Sequence, residues 1–188
     1  LLQKSASETM AQFLTDGAVN LSYDNAAKLA TTATGVDVTG TVTADGLTVD
    51  GATTVNNADL LLNGGSPEII FQTGASHYNW MIAAQENVSN ALEISSGSQD
   101  GDYSNDTWTP RLVVTSGGNL LVGKTTSSFG IAGTTILPSG NVTFTRSNAG
   151  VVDVNRLSSD GSLINLYKDG STVGSIGAVG GSVYIASS

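Results

Sequence analysis

Turn dipeptides recur every five to ten residues along the first third of the chain, and they constrain its fold more than any other feature. Asp-Gly and similar pairs suit two-residue hairpin turns, because both central positions adopt positive φ at little steric cost. The pairs are Asp16-Gly17, Asp24-Asn25, Thr34-Gly35, Thr39-Gly40, Asp45-Gly46, Asp50-Gly51, Asn56-Asn57 and Asn63-Gly64-Gly65. This spacing predicts a meander of very short antiparallel strands.

Short runs rich in β-formers lie between these turns, and several alternate apolar with polar residues as half-buried strands do. They predict strands over 10–14, 18–23, 36–39, 41–43 and 47–49. The opening segment 1–14 also fits a helix capped by Ser5 or Ser7, with Glu8 in its first turn. We favour a strand from Met10 onward, because 10–14 can pair across Asp16-Gly17.

The middle of the chain differs, since it holds both tryptophans and the only histidine, His77. Longer strands are predicted there over 68–72, 79–84, 91–94 and 111–114, with a long polar loop over 95–109. After Gly123 short strands return, over 141–146, 151–157, 163–168, 172–176 and 182–185. The turns predicted around them are Ser139-Gly140, Asn148-Ala149-Gly150, Asp160-Gly161, Asp169-Gly170 and Gly180-Gly181. We therefore predict a β-rich shaft segment at 1–65, a small β-knob at 66–126 and a second shaft segment at 127–188.

The composition of the chain argues against several classes of function. Only 12% of the 188 residues are charged, against about 25% in an ordinary globular domain, whereas 39% are hydrophobic, enough for folding. The net charge is −9, and the 7 Lys and Arg are scattered along the chain. They form no basic stripe that could neutralise phosphates, which argues against a nucleic-acid partner. No apolar run reaches the roughly 18 residues of a membrane span, so we expect no membrane insertion. The chain begins with Leu1, and we expect a fragment or a processed product.

Self-association follows from the shortness of the strands. Strands of four to six residues with few large apolar side chains cannot build a thick core alone, and they leave unpaired edges. Lys and Pro, which protect edges, are scarce here. We therefore expect an all-β homotrimer, a fibrous β-meander or β-prism with Val, Leu and Ile inward, while a monomeric β-sandwich is the alternative.

Several blocks of the chain resemble one family. The run 16–51 resembles the repeat of tail-fibre and related structural proteins of tailed phages, especially those of marine bacteria and cyanobacteria. The block 155–177 is similar to shaft segments near the C-terminus of such fibres, 120–126 resembles their Gly-Ile-Gly-Thr-Thr connector, and 78–80 with 90–94 resemble a knob segment. The resemblance implies a homotrimeric fibre segment on the virion that contacts other tail proteins and a host-surface glycan or protein.

Catalytic chemistry finds little support, and we expect neither an enzyme nor a cofactor. Any Ser-His-Asp triad must use His77, and no Gly-x-Ser-x-Gly elbow is present. A glycan hydrolase of the tailspike kind needs two carboxylates. The candidates are Glu68, Glu86, Glu93, Asp100, Asp102 and Asp106. Most Asp residues here precede Gly or Asn, where the side chain stabilises a turn.

The loop from Asp100 to Asp106 is the most informative segment for binding. Asp100, Asp102 and Asp106 form a weak calcium candidate, because oxygen ligands alternate as at the start of a calcium loop, but Asn105 replaces the required Gly and Arg111 the required Glu. Tyr103 and Trp108 bracket Asp106, and aromatic rings beside polar groups suit sugar recognition. We therefore predict receptor binding by Tyr103, Asp106 and Trp108.

Trp108 fits a buried anchor as well as a ligand contact, whereas Trp80, in an apolar strand, is expected in the core. A cellular trimeric adhesin or a virion decoration fibre shares the expected architecture and differs only in its anchor.

Overall fold

The computed structural model describes residues 1–5, 7–56 and 58–187, and within them it is all-β with antiparallel sheets. The chain divides into two compact units, Leu1–Asp59 and Leu60–Ser188. In the described part, no helix is long and apolar enough to cross a membrane. The predicted all-β class is therefore confirmed.

The first unit is a five-stranded meander. Its strands are β1 (Leu2–Ser5), β2 (Glu8–Phe13), β3 (Val19–Tyr23), β4 (Ala26–Thr32) and β5 (Gly35–Val38), paired in chain order. Asp24 and Asn25, at φ 50° and 60°, form the predicted two-residue turn between β3 and β4. One cross-strand row is apolar: Leu2, Ala11, Leu21, Leu29 and Val38. The next row on the opposite face is Gln12, Asn20, Ala30 and Asp37, so the sheet has one apolar and one largely polar face.

The second unit contains a seven-stranded sheet, again in chain order. Its strands are β6 (Glu68–Phe71), β7 (Trp80–Ala84), β8 (Ala91–Ser96), β9 (Thr109–Thr115), β10 (Leu120–Val122), β11 (Gly133–Ile136) and β12 (Val142–Thr145). One face, here the covered face, is buried along the row Ala83, Glu93, Val113, Leu121 and Thr135. Val88, from the β7–β8 connection, packs against the small core on this face.

The other face of this sheet, here the open face, is apolar and uncovered. One of its cross-strand rows is Ile69, Ile82, Ile94, Leu112, Val122, Thr134 and Phe144. The next is Ala84, Leu92, Val114, Leu120, Ile136 and Val142, and Phe71 paired with Trp80 extends the face at one edge. These side chains are exposed or half-buried. The sheet therefore buries only one of its two apolar-bearing faces within the chain.

A three-stranded sheet ends the chain, with β13 (Gly161–Lys168), β14 (Ser171–Val179) and β15 (Ser182–Ser187). The predicted turns at Asp169-Gly170 and Gly180-Gly181 have positive φ at both central residues, 51° and 80° in the first and 54° and 81° in the second. Such turns match the twist of the flanking strands. The dipeptides therefore set the register of this sheet.

Most predicted strands are confirmed, including the preference for strand over helix in 10–14. The predicted strands over 41–43, 47–49 and 151–157 are wrong, because no strand among the described residues pairs with these runs. β1, β4, β10 and β11 were not predicted. The division into 1–65, 66–126 and 127–188 stays a prediction.

Candidate functional site

The longest connections of the seven-stranded sheet all lie at one end of it. In a meander, successive connections alternate between the two ends. Residues 72–79, 97–108 and 123–132 therefore share one end, here the loop end, whereas the shorter connections 85–90, 116–119 and 137–141 share the other. Loops that a rigid sheet positions are where binding residues concentrate. The loop end contains all three predicted receptor-binding residues.

Asn79 ties the first two loops together. Its side chain is fully buried, with Nδ2 donating to Asp106 Oδ2 at 3.0 Å and Oδ1 accepting from the Thr73 amide at 2.9 Å. Its backbone pairs with the second loop, since the Asn79 amide donates to Ser98 O at 3.0 Å and the Gly97 amide donates to Asn79 O at 2.9 Å. The Asn79 side chain thus connects the two loops, although Asn79 and Asp106 are 27 residues apart in sequence.

Asp106 points into this network and is half-buried. Its Oδ1 accepts from the Ser98 amide at 2.6 Å. Burial raises the pKa of this carboxyl, but hydrogen bonds from Ser98 and Asn79 outweigh burial and leave the pKa below its ordinary value. Gly97 has no room for a side chain, because a Cβ there would collide with this carboxylate. Asp106 therefore holds the loop in shape and does not project to solvent.

The tip of the second loop is organised by local hydrogen bonds. Asp100 accepts from Ser98 Oγ at 2.6 Å and from the Asp102 amide at 3.0 Å, and these bonds lower the pKa of Asp100. Asp102 in turn accepts from the Ser104 amide at 2.9 Å. Such Asx turns shape exposed loops. Both acidic residues are thus solvent-facing turn formers.

The two loops also touch at their tips. The Ser76 amide donates to Gln99 O at 2.8 Å, and Gln72 Nε2 donates to Gly101 O. Gly101 adopts φ +82°, and a Cβ there would lie 3.1 Å from the Ala75 amide nitrogen. The loop pair is therefore one shaped surface.

Aromatic side chains give this surface its contact area. Tyr103 is 44% exposed and Tyr78, in the first loop, is similarly exposed, whereas Trp108 is half-buried just before β9. The expectation that Trp80 is in the core is wrong for the single chain. Trp80 is exposed beside Phe71 on the open face, because no described residue of the second unit covers that face. Tyr78 and Asn79 were not predicted as site residues, because no local motif marks them.

The other candidates fall in separate places. His77 is exposed in a turn, where its amide donates to Gly74 O at 3.2 Å. Glu68 and Glu86 meet at the end opposite the loops, where the Ser66 hydroxyl lies 3.2 Å from one carboxylate and 2.8 Å from the other. Glu93 is buried in the covered face. Among the residues described, no three His, Cys, Asp or Glu side chains are placed to hold a metal ion, so Asp100, Asp102 and Asp106 do not form one here.

Removing the Asp106 carboxylate is expected to loosen the loop pair. Asp106→Ala leaves the Asn79 Nδ2 and Ser98 N–H groups without their acceptor, which costs about 1–2 kcal/mol. The pKa of Asp106 is lowered in the fold, so its contribution is complete above the ordinary value of 3.8 and is lost as the pH falls through the folded-state value. We expect faster hydrogen exchange of the Ser98 amide in Asp106→Ala at pH 7.

The difference between Asp106→Ala and the wild type should shrink as the exchange and urea-denaturation measurements move toward acid. Asp102→Ala serves as the comparison, since the Asp102 carboxylate accepts from the Ser104 amide and not from Ser98. Equal protection of the Ser98 amide in Asp106→Ala and the wild type would show that the carboxylate does not hold the loop.

No protein-family model, curated protein or solved structure matches this chain.

Proposed function

We propose that this chain is a structural and receptor-binding segment of the tail fibre of a tailed phage, and that it acts as a homotrimer on the virion. The observation that carries the proposal is the small amount of apolar surface that one copy buries. Among the described residues, the buried apolar side chains are only Ala11, Met81, Ala83, Ala91, Val113 and Leu121. A chain of this size needs a larger core to offset the conformational entropy lost on folding.

Uncovered apolar surface recurs in each of the three sheets. Leu2 and Leu21 are exposed in the five-stranded sheet, and the open face extends across the seven-stranded sheet. In the last sheet Ile164 and Ile185 are exposed in one cross-strand row with Ile176. Copies of the chain packed around one axis would cover such faces, which is how short-stranded fibres acquire a core. The resemblance of 16–51 and 155–177 to fibre repeats supports the same architecture.

The loop end supplies the receptor contact in this proposal. Tyr103 and Tyr78 are exposed beside the polar groups of two loops that Asn79 and Asp106 hold together. Aromatic rings with neighbouring hydrogen-bonding groups suit a host-surface glycan, and rigid loops lose little entropy on binding. Asp106 takes a positioning role, while Tyr103 makes the contact and Trp108 supports it.

The test combines solution mass with binding to host cells. We expect light scattering to give about 57 kDa, three times the 19.0 kDa of one chain. Tyr103→Ala should weaken cell binding at least about tenfold, as removal of a central aromatic contact does. Tyr23→Ala is the matched control, since Tyr23 is an exposed tyrosine of the first unit and belongs to neither loop.

Two results would contradict the proposal. A stable 19.0 kDa monomer would remove the fibre architecture and favour an isolated binding module. Release of sugar from host polysaccharide that disappears in Glu68→Gln or Glu86→Gln would favour a glycan hydrolase instead, since these two carboxylates converge on Ser66.

A further inference from the structure

The open face is a large uncharged surface. None of the residues that define it is Asp, Glu, Lys or Arg. Nine of its large side chains, from Ile69 in β6 to Phe144 in β12, are between 36% and 52% exposed. At about 200 Å² for a large side chain, they leave about 800 Å² in contact with water.

This area separates the open face from an ordinary protein surface. The largest apolar patch on a soluble monomer is about 300–600 Å². Each partner in a stable protein–protein interface contributes about 800 Å². The open face therefore has the size of one side of an interface.

We propose that other copies of this chain cover the open face, which makes it the contact surface between subunits. This inference rests on the homotrimer of the proposed function and assigns the surface that builds it. Each copy carries a net charge of −9, so copies repel one another unless they meet on uncharged surface. The open face meets that condition, because apolar side chains facing their own kind bring no like charges together.

The shape of the face fits a cyclic assembly. Seven strands about 4.8 Å apart give a width of about 29 Å between the outer strands. That width lets each copy contact two neighbours, as a three-fold arrangement requires. The contact uses strands β6–β12 and leaves the loop end free for a receptor.

A lysine at the centre of the open face tests the assignment. Leu92 pairs with Val114 across β8 and β9, and both are exposed in the single chain, so a lysine at either position leaves the covered face intact. We expect Leu92→Lys and Val114→Lys to lose the trimer in light scattering and to run near 19.0 kDa. We also expect a reduced far-ultraviolet circular dichroism signal, because a single copy has too small a core to stay fully folded. Phe129→Lys is the control, since Phe129 is 71% exposed in a connection outside the sheet, and it should stay trimeric.

The outcomes separate this inference from the proposed function. Leu92→Lys and Val114→Lys that remain trimers as stable as the wild type would overturn the assignment of the open face while leaving the homotrimer in place. A monomeric wild type would overturn both. Loss of the trimer in Phe129→Lys as well would show a general effect of added lysine and would also overturn the assignment.

A labelling experiment gives a second readout that does not disturb the assembly. The chain has no cysteine, so Leu92→Cys and Phe129→Cys each introduce one unique thiol. In the native protein we expect a maleimide to react at position 92 at least about tenfold more slowly than at position 129, since the reagent must wait for the interface to open. Equal rates at the two positions would show that the open face stays in water.

Discussion

Replacing Glu93 with alanine is expected to lower the free energy of unfolding by about 3 kcal/mol, because two N–H groups in part-buried hydrogen bonds lose their acceptor. Glu93 is fully buried in β8, and its Oε1 accepts from the amides of Asn87 at 2.9 Å and Val88 at 2.7 Å. These bonds fold the 85–90 connection over the small core, where Val88 packs. Loss of the acceptor therefore also removes cover from that core.

Glutamine at the same position separates the two effects. Glu93→Gln keeps an oxygen that can accept from Asn87 and Val88, so we expect a smaller loss, about 1 kcal/mol. The midpoint of urea denaturation, followed by tryptophan fluorescence, measures both variants. Glu86→Ala is the control, since Glu86 is exposed, and it should match the wild type. A Glu93→Ala midpoint equal to that of the wild type would mean that the carboxylate does not anchor the connection.

Gly177→Ala is expected to lower the free energy of unfolding by about 2 kcal/mol, because overpacking forces side chains and backbone apart. Gly177 in β14 pairs with Tyr184 in β15, whose ring lies across the glycine. A Cβ at Gly177 would overlap that ring and would lie 2.6 Å from the carbonyl oxygen of Gly161. The ring can rotate away, but the carbonyl belongs to the neighbouring strand and cannot move without disturbing the pairing.

Two further variants show which contact causes the loss of stability in Gly177→Ala. Gly74→Ala is the matched control, because a Cβ there meets nothing within 4 Å, and it should leave thermal stability unchanged. Adding Tyr184→Ala to Gly177→Ala removes the collision with the ring and keeps that with Gly161. We therefore expect the pair to be less destabilising than the sum of the single changes. Strict additivity would show that the ring does not contact position 177.

Local chemistry explains why so many turns could be predicted. Asp24-Asn25, Asp169-Gly170 and Gly180-Gly181 carry their preference for positive φ in their own side chains, or in the lack of one, so two residues decide the turn. Strands need more than their own sequence. The run 47–49 alternates as a strand should, yet no strand in the described part of the chain pairs with it. By contrast β4, rich in Ala, is a strand because β3 and β5 flank it.

The candidate site also shows that local sequence predicts only part of the structure. The loop with Tyr103, Asp106 and Trp108 stands out in the sequence by its aromatic and polar residues. The direction in which the Asp106 side chain points cannot be seen in the sequence, because it depends on Asn79. Asn79 lies 27 residues earlier and is brought close by the pairing of β7 with β8. The exposure of Trp80 likewise depends on what covers the sheet and not on the strand that carries it.

Strand order equals chain order in all three sheets, and this has a consequence for biosynthesis. Every strand that leaves the ribosome finds its partner already made, so no strand waits for a later part of the chain except the first of each sheet. Closing such short loops is fast. Each sheet can therefore grow one strand at a time during translation, and its newest edge is always the next site of addition.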